Sequence, residues 1–428
     1  MVQGSSANST KNGGLMSYFK KILLLLVLMW GVVGLERMVM GFVLPGVQKE
    51  FGLNYSQLGA VIAIFGLAWA IGTWVMGSLS DYVGRRPVIV GLLIIGGLCS
   101  WITGIAGSFI FLLAIRAIMG FAEGGIYGPA AATVTEESPP ESRARNAGLL
   151  AGFFVLFGGA IGPILSTQLM VHYGWRFVFY VYALPALVLG ILIWFVMKEP
   201  ASMQAAINAR RQGLEKQKRF DTQGKEIGYW DVFKSRNVIL MMITWTFNMA
   251  WLYIFTSFGV LYLDKVHQMP MISIGLVMSG FGVGVFLGAP IVGMISDRIG
   301  RRKTLVLCQV LGGIPGLIFV SLSPGTSMAV LFAFIFAAAF FSSGAAPILV
   351  SVAAETVGFA LAATAIGAAI GVGELIGGGI LPIVGGGIAD SVGLKATVYM
   401  GPILLIVSGL CGLFVRETAP RLVSKTAG

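Results

Sequence analysis

Charge is what this chain has least of. Lysine, arginine, aspartate and glutamate make up 11% of its 428 residues, against roughly a quarter in an ordinary globular domain. Histidine occurs twice, and both His172 and His267 fall in short connections between apolar runs. Any proton chemistry within those runs is therefore left to carboxylates. The three cysteines, Cys99, Cys308 and Cys411, have neither pairing nor ligand spacing, so they read as small apolar filler and no metal site is expected. No phosphate-binding glycine loop is present, which argues against ATP as an energy source. No nucleophile–base arrangement or metal-ligand spacing is present either, so the chain is not expected to be an enzyme and needs no cofactor.

Apolar residues make up 57% of the sequence, far more than a soluble core requires. A bilayer-spanning helix needs about 20 of them, and twelve runs qualify, near 22–46, 55–79, 88–107, 109–133, 146–170, 177–197, 238–263, 272–296, 304–322, 327–353, 360–388 and 396–415. The first is too long for a signal-peptide core and no small-residue cleavage site follows it, so it counts as a span. Sixty glycines would mean loops in a soluble chain; between membrane helices they permit close approach. With the N-terminus inside, only Lys49, Arg176, Lys265 and Lys395 lie outside and only Arg37 and Arg116 within spans, leaving every other basic residue on the cytoplasmic side. That asymmetry sets the orientation and accounts for the net charge of +11 as contact with anionic inner-leaflet lipid, so nucleic-acid binding is not expected. The division that follows is a disordered tail over 1–17, a six-helix bundle over 18–197, a basic cytoplasmic linker over 198–237, a second six-helix bundle over 238–416 and a tail over 417–428. Residues 201–220 of the linker read either as an interfacial amphipathic helix or as a loop.

The two bundles are copies of one unit. GSLSDYVGRRP at 77–87 returns as GMISDRIGRRK at 293–303, so Gly77, Asp81, Gly84, Arg85 and Arg86 recur as Gly293, Asp297, Gly300, Arg301 and Arg302. Internal repeats of this kind build many transporter folds. The six-plus-six arrangement, the central basic loop and the doubled string together resemble the major facilitator superfamily of secondary transporters, over residues 18–416. That resemblance implies an all-α membrane fold of two pseudo-symmetric six-helix bundles with both termini cytoplasmic. It also implies a conformational latch, with Asp81 capping a helix N-terminus or pairing with arginine when the protein faces outward, and Arg143 and Arg145 as basic partners. The second copy keeps Glu355 but lacks that arginine, so its latch is expected to be weaker.

Five ionisable residues fall inside the spans: Glu36, Arg37, Arg116, Glu123 and Glu374. A charge at the centre of a membrane helix costs about 2.5–3.5 kcal/mol on insertion scales, so such residues normally pair, face a cavity and mark pathways. Glu123 follows Arg116 by seven residues, hence on nearly the same helix face and about 10 Å deeper. Trp69, Gln168, Trp245, Asn248, Trp251 and Tyr253 are further lining candidates from their helix placement. Within the superfamily, Glu36-Arg37, the string RAIMGFAE at 116–123 and GWRFVF after the fifth span are similar to the anion:cation symporter family. The resemblance implies that Arg37 holds a substrate carboxylate, for which a guanidinium fork is suited, and that Glu123 carries the proton beside Arg116. Glu36 is then a second protonation site or the counter-ion of Arg37, and Glu374 a substrate contact or proton site. A functional monomer importing a small organic anion such as a sugar acid or aromatic acid is expected, in a bacterial-type inner membrane and driven by protons, with sodium as the other candidate ion. The string GGAIGP at 158–163 keeps a drug/proton antiporter as the alternative, with a sensor that lacks flux as a third.

Overall fold

The computed structural model describes residues 9–139, 142–201, 203–205, 208, 229–357 and 359–422. Among these there are helices and turns but no strands, as a bilayer demands when each span must satisfy its own backbone hydrogen bonds. Twelve helices are long and apolar enough to cross a membrane. They are α1 (Tyr18–Phe51), α2 (Tyr55–Val83), α3 (Arg85–Thr103), α4 (Phe109–Glu137), α5 (Arg145–Tyr173), α6 (Trp175–Val196), α7 (Arg236–Lys265), α8 (Met271–Ile299), α9 (Arg301–Ser321), α10 (Met328–Val357), α11 (Thr364–Ser391) and α12 (Leu394–Gly412). The protein is a multi-pass integral membrane protein. Helix extends ahead of α1 from Ser9, so part of the stretch expected as a disordered tail continues the first span; residues 1–8 lie outside the described residues. So does most of 201–220, where a helix or a loop was expected.

The repeat is visible in irregularities as well as in sequence. Both α5 and α11 contain a π-helical turn, Leu156–Ile161 and Glu374–Ile380, each at a glycine cluster, GG in one and GGG in the other. Extra residues inserted into a helix in this way re-aim the side chains beside them and are frequent at functional sites.

Glycine also decides how the bundles meet. A Cβ on Gly59 of α2 would lie 2.4 Å from the Pro382 carbonyl oxygen of α11, and one on Gly66 would lie 2.7 Å from that of Gly378. Between α5 and α8, a Cβ on Gly282 would lie 2.0 Å from the Gly159 carbonyl carbon. Backbones in such contact leave no passage. Further along the same helix faces, Gly77, Gly148, Gly367 and Gly371 have nothing among the described residues within 4 Å of where a Cβ would stand. The bundles are thus zipped together on the face opposite the repeated strings and part towards the face that carries them. Asp390 at the end of α11 closes the zipped face, accepting hydrogen bonds from the Tyr55 and Ser56 backbone N–H groups (2.9 and 2.8 Å) and from the Ser56 hydroxyl (2.5 Å) at the start of α2. An acid beside a helix N-terminus is favoured by the helix dipole, and here it comes from the other bundle.

Candidate functional site

Helix α1 is buried on every side from Met29 to Pro45, the pattern of a helix packed all round by others. Gly34 rests against the Phe154 backbone of α5 and Gly41 against that of Thr256 of α7, which holds α1 at the boundary between the bundles. Arg37 projects from this stretch with its side chain 6% exposed. Its Nη2 donates to both carboxylate oxygens of Glu374, at 2.7 and 2.8 Å, and to the Tyr253 hydroxyl. That hydroxyl lies 3.3 Å from Glu374 Oε2, to which it donates. The guanidinium carbon sits 4.1 Å from the Trp69 ring centroid, 5.3 Å from Tyr253 and 5.7 Å from Phe154, cation–π distances that favour a buried arginine.

Glu374 opens the π turn of α11, so the irregular backbone presents its carboxylate to Arg37. Gly378, one turn on, leaves room for it: a Cβ there would lie 3.0 Å from Glu374 Oε2. The partner of Arg37 is therefore a carboxylate of the opposite bundle. Glu36, one of whose two expected roles was to neutralise Arg37, is not its partner, since adjacent residues on a helix point about 100° apart.

Glu36 and Glu123 instead share the interior of the first bundle. Both are fully buried, and among the described residues neither has a well-formed hydrogen bond to its carboxylate oxygens. The polar neighbours of Glu36 are Ser100 of α3 and Arg116 of α4, and Glu123 stands within electrostatic reach of Glu36, Arg116 and Arg37. Arg116 lies 4.2 Å from the centroid of the Phe65 ring and donates to the Met119 sulfur at 3.4 Å. Among the described residues it makes no salt bridge. Two carboxyl groups and one guanidinium thus lie together away from solvent, where separated charges cost most and a bound proton relieves that cost.

A narrow cavity lies between Arg37 and Arg116, with Phe65, Tyr253, Thr256 and Ser257 also on its walls. The volume open to a water is about 10 Å³, close to the minimum for a single molecule.

The remaining lining candidates divide. Trp69 stacks on Arg37. Asn248 donates its amide to the Ser342 carbonyl of α10 at 3.4 Å, within the second bundle. Trp251 is buried in that bundle's core, its ring centroid 4.4 Å from that of Phe255 and 6.2 Å from that of Phe281, with Gly316 and Gly401 beneath it. A large indole was read as cavity lining, but the two glycines opposite make a slot it fills. Tyr253 proves the contact that aromatic placement undervalued. It stands 216 residues after Arg37, the same offset as the repeated strings, so the two side chains meet as counterparts across the pseudo-symmetry; aligning the halves at Arg37 would have found it.

In the latch strings Arg85, Arg86 and Arg301 are each held within their own bundle. Arg85 pairs with Glu136 at 2.6 Å, and Arg301 with Asp297 at 2.5 Å and Glu355 at 2.9 Å. Arg86 donates to the Trp194 carbonyl, and Arg143 donates to that of Ser138 in its own loop. The second copy, expected to have the weaker latch because it lacks that arginine, uses the Glu355 it keeps to pair with Arg301. The helix N-termini after both strings are capped by acids the sequence reading did not single out: Glu199 accepts from the Arg85 and Arg86 backbone N–H groups (2.6 and 3.0 Å), and Glu417 from those of Arg301 and Arg302 (2.8 and 3.2 Å). Gly84 and Gly300, at φ 108° and 106°, adopt a backbone that favours glycine, and a Cβ at either would press on the capping carboxylate, 3.0 Å from Glu199 and 2.5 Å from Glu417.

This architecture matches the profile of the Major Facilitator Superfamily over residues 26–274 and 266–428. The chain belongs to that superfamily. Its members are transporters rather than enzymes. The chain is 27% identical to the cis,cis-muconate transport protein of Acinetobacter baylyi, covering 90% of this chain and 92% of that one, and 28% identical to the gallate transporter of Pseudomonas putida, covering 84% and 86%. Relatives with these names support a major facilitator transporter of the anion:cation symporter type. A bacterial homologue of the human lysosomal transporter Spinster, solved in an inward-facing and occupied conformation, superimposes with a TM-score of 0.75 at 18% identity over 93% of this chain and 97% of that one. At that identity the likeness concerns the fold.

Proposed function

We propose that this protein is a proton-driven symporter that brings a small organic carboxylate across the bacterial inner membrane by alternating access. The observation that carries the reading is Arg37: a guanidinium buried at the bundle boundary, ringed by Trp69, Phe154 and Tyr253, with the buried carboxyl groups of Glu36 and Glu123 behind it in the same bundle. A cation among aromatic faces suits a flat or conjugated acid, whose carboxylate takes the guanidinium while its body lies on the rings. Relatives named for muconate, gallate and 4-hydroxybenzoate favour the same chemistry.

In this reading Glu123 carries the proton, Glu36 shares it, and Arg116 holds their combined charge within bounds. Loading the pair removes a buried negative charge near Arg37, so the protonation state there and the occupancy of Arg37 influence each other. The bias of basic residues favours the repeated strings on the cytoplasmic side; with that orientation, bundles that part on that face form an inward-open state, and the contacts around Gly59, Gly282 and Asp390 are the closed outer gate. The latch strings are then expected to join across the bundles only when the inner face closes. The test is uptake of radiolabelled 4-hydroxybenzoate or cis,cis-muconate by proteoliposomes. An inward proton gradient should drive accumulation that a protonophore abolishes; uptake indifferent to the proton gradient but driven by sodium, or efflux of apolar cations instead, would overturn the proposal.

A further inference from the structure

Glu374 occupies the site that a substrate carboxylate needs. Arg37 offers its Nη2 to both Glu374 oxygens and to Tyr253, and the adjoining cavity has room for about one water. An anion that needs this edge of the guanidinium must therefore displace Glu374. Among the described residues Glu374 has no ion-pair partner besides Arg37, so breaking the bridge leaves a buried carboxylate without one. The groups against it are Arg37 from α1, Tyr253 from α7 and Gly378 of α11 itself; Trp69 of α2 lies over Arg37, and Gly66 of α2 packs on the Gly378 backbone. The remaining charges of the cluster, Glu36, Arg116 and Glu123, belong to the first bundle, where Glu123 draws on Arg37 and not on Glu374.

We propose that Glu374 is a tethered stand-in for the substrate's carboxylate, so that each anion binds Arg37 by displacing Glu374 and the displaced carboxyl group takes up a proton. The exchange balances: an anion and a proton enter, one carboxylate leaves the guanidinium, and the site keeps its net charge. A buried unpaired carboxylate is far more costly than a neutral carboxylic acid, which makes the proton a condition of binding. The empty carrier is held together at its midplane by the Arg37–Glu374 bridge between bundles, and the ligand replaces that bridge. This deepens the symporter reading and rests on it, adding a proton-linked group in the second bundle to the carboxyl pair in the first.

The experiment is isothermal titration of purified protein with benzoate, 4-hydroxybenzoate or cis,cis-muconate, whichever raises the melting point of the wild type most, in two buffers of different ionisation enthalpy. Wild type should take up one more proton per ligand than Glu374→Gln. At pH 8 the variant, freed of its competitor, should bind about tenfold more tightly, the scale of one charge-assisted contact, and the two should converge as pH falls. Glu374→Asp, which keeps a carboxyl group, should retain the proton uptake. Infrared difference spectra of the wild type should show a protonated-carboxyl band on ligand addition, shifted in the aspartate variant and independent of whether the glutamine variant folds. Equal proton counts in wild type and Glu374→Gln, weaker binding by the glutamine variant, or an infrared band unchanged by the aspartate substitution would overturn the stand-in while leaving the symporter reading intact. Failure of every carboxylate to bind the wild type would overturn both.

Discussion

Glu123 owes its character to what surrounds it: the wall of α3 at Gly96, whose Cβ position lies 3.3 Å from Glu123 Cγ, and no donor to either oxygen. Glu123→Gln keeps the shape and removes the titration. We expect proton-driven accumulation to fall to background while exchange of labelled for unlabelled acid across the membrane persists, since exchange needs no net proton movement. His267 supplies a pH effect outside the spans. Its Nε2 lies 3.3 Å from the Tyr262 hydroxyl, which itself donates to the Val320 carbonyl, and its buried Nδ1 has no partner. Burial, with Lys395 nearby, holds its pKa below the ordinary 6.5. The folded form thus binds fewer protons at that site than the unfolded chain; the contribution is complete above about 6.5 and is lost as pH falls through the depressed value. The drop in melting temperature between pH 7.5 and 5 should accordingly be smaller in His267→Gln than in wild type.

At the scale of the helix, the features that matter are ends and interruptions. Glu199 and Glu417 each accept two backbone N–H groups at the start of a span, and neither was recognised from sequence, because an acid in a polar loop does not announce which helix end it will reach. The symmetry was there to be read: KEP at 198–200 and RETAP at 416–420 close the two halves. Replacing either acid by alanine should destabilise its bundle by about 1 kcal/mol, the usual value of an N-cap, and the two losses should add because the sites are independent. Thermal unfolding of the single and double variants followed by tryptophan fluorescence measures this. The π turns are a second case. The glycines at 377–379 read as a packing face and those at 158–159 as part of GGAIGP; both clusters pack closely on the other bundle, but the extra backbone in each turn is not written in composition.

For the whole molecule, the quantity at stake is the balance between states open to one side or the other. Asp390 contributes to it directly, because its three hydrogen bonds to Tyr55 and Ser56 join the bundles on the closed face. Asparagine has one acceptor oxygen in place of two and no charge for the helix dipole. With spin labels at Lys49 of α1 and Val392, both exposed there, Asp390→Asn should lengthen part of the distance distribution measured by double electron–electron resonance. A distribution identical to wild type would show that backbone packing at Gly59 and Gly282 closes that face unaided.

The number of spans, the two-bundle plan and the identity of the buried charges were legible in the sequence, since each follows from local quantities: run length, repeat offset and the cost of an ionisable group in hydrocarbon. The partnership of those charges was not. Arg37 and Glu374 stand 337 residues apart, and whether Arg37 turns to Glu36 beside it, to Glu123 across the bundle or to Glu374 in the other bundle depends on how α1, α7 and α11 cross. Side-chain chemistry is written residue by residue, whereas the neighbour that a buried charge finds is set by backbone approach, and only the packed helices decide that.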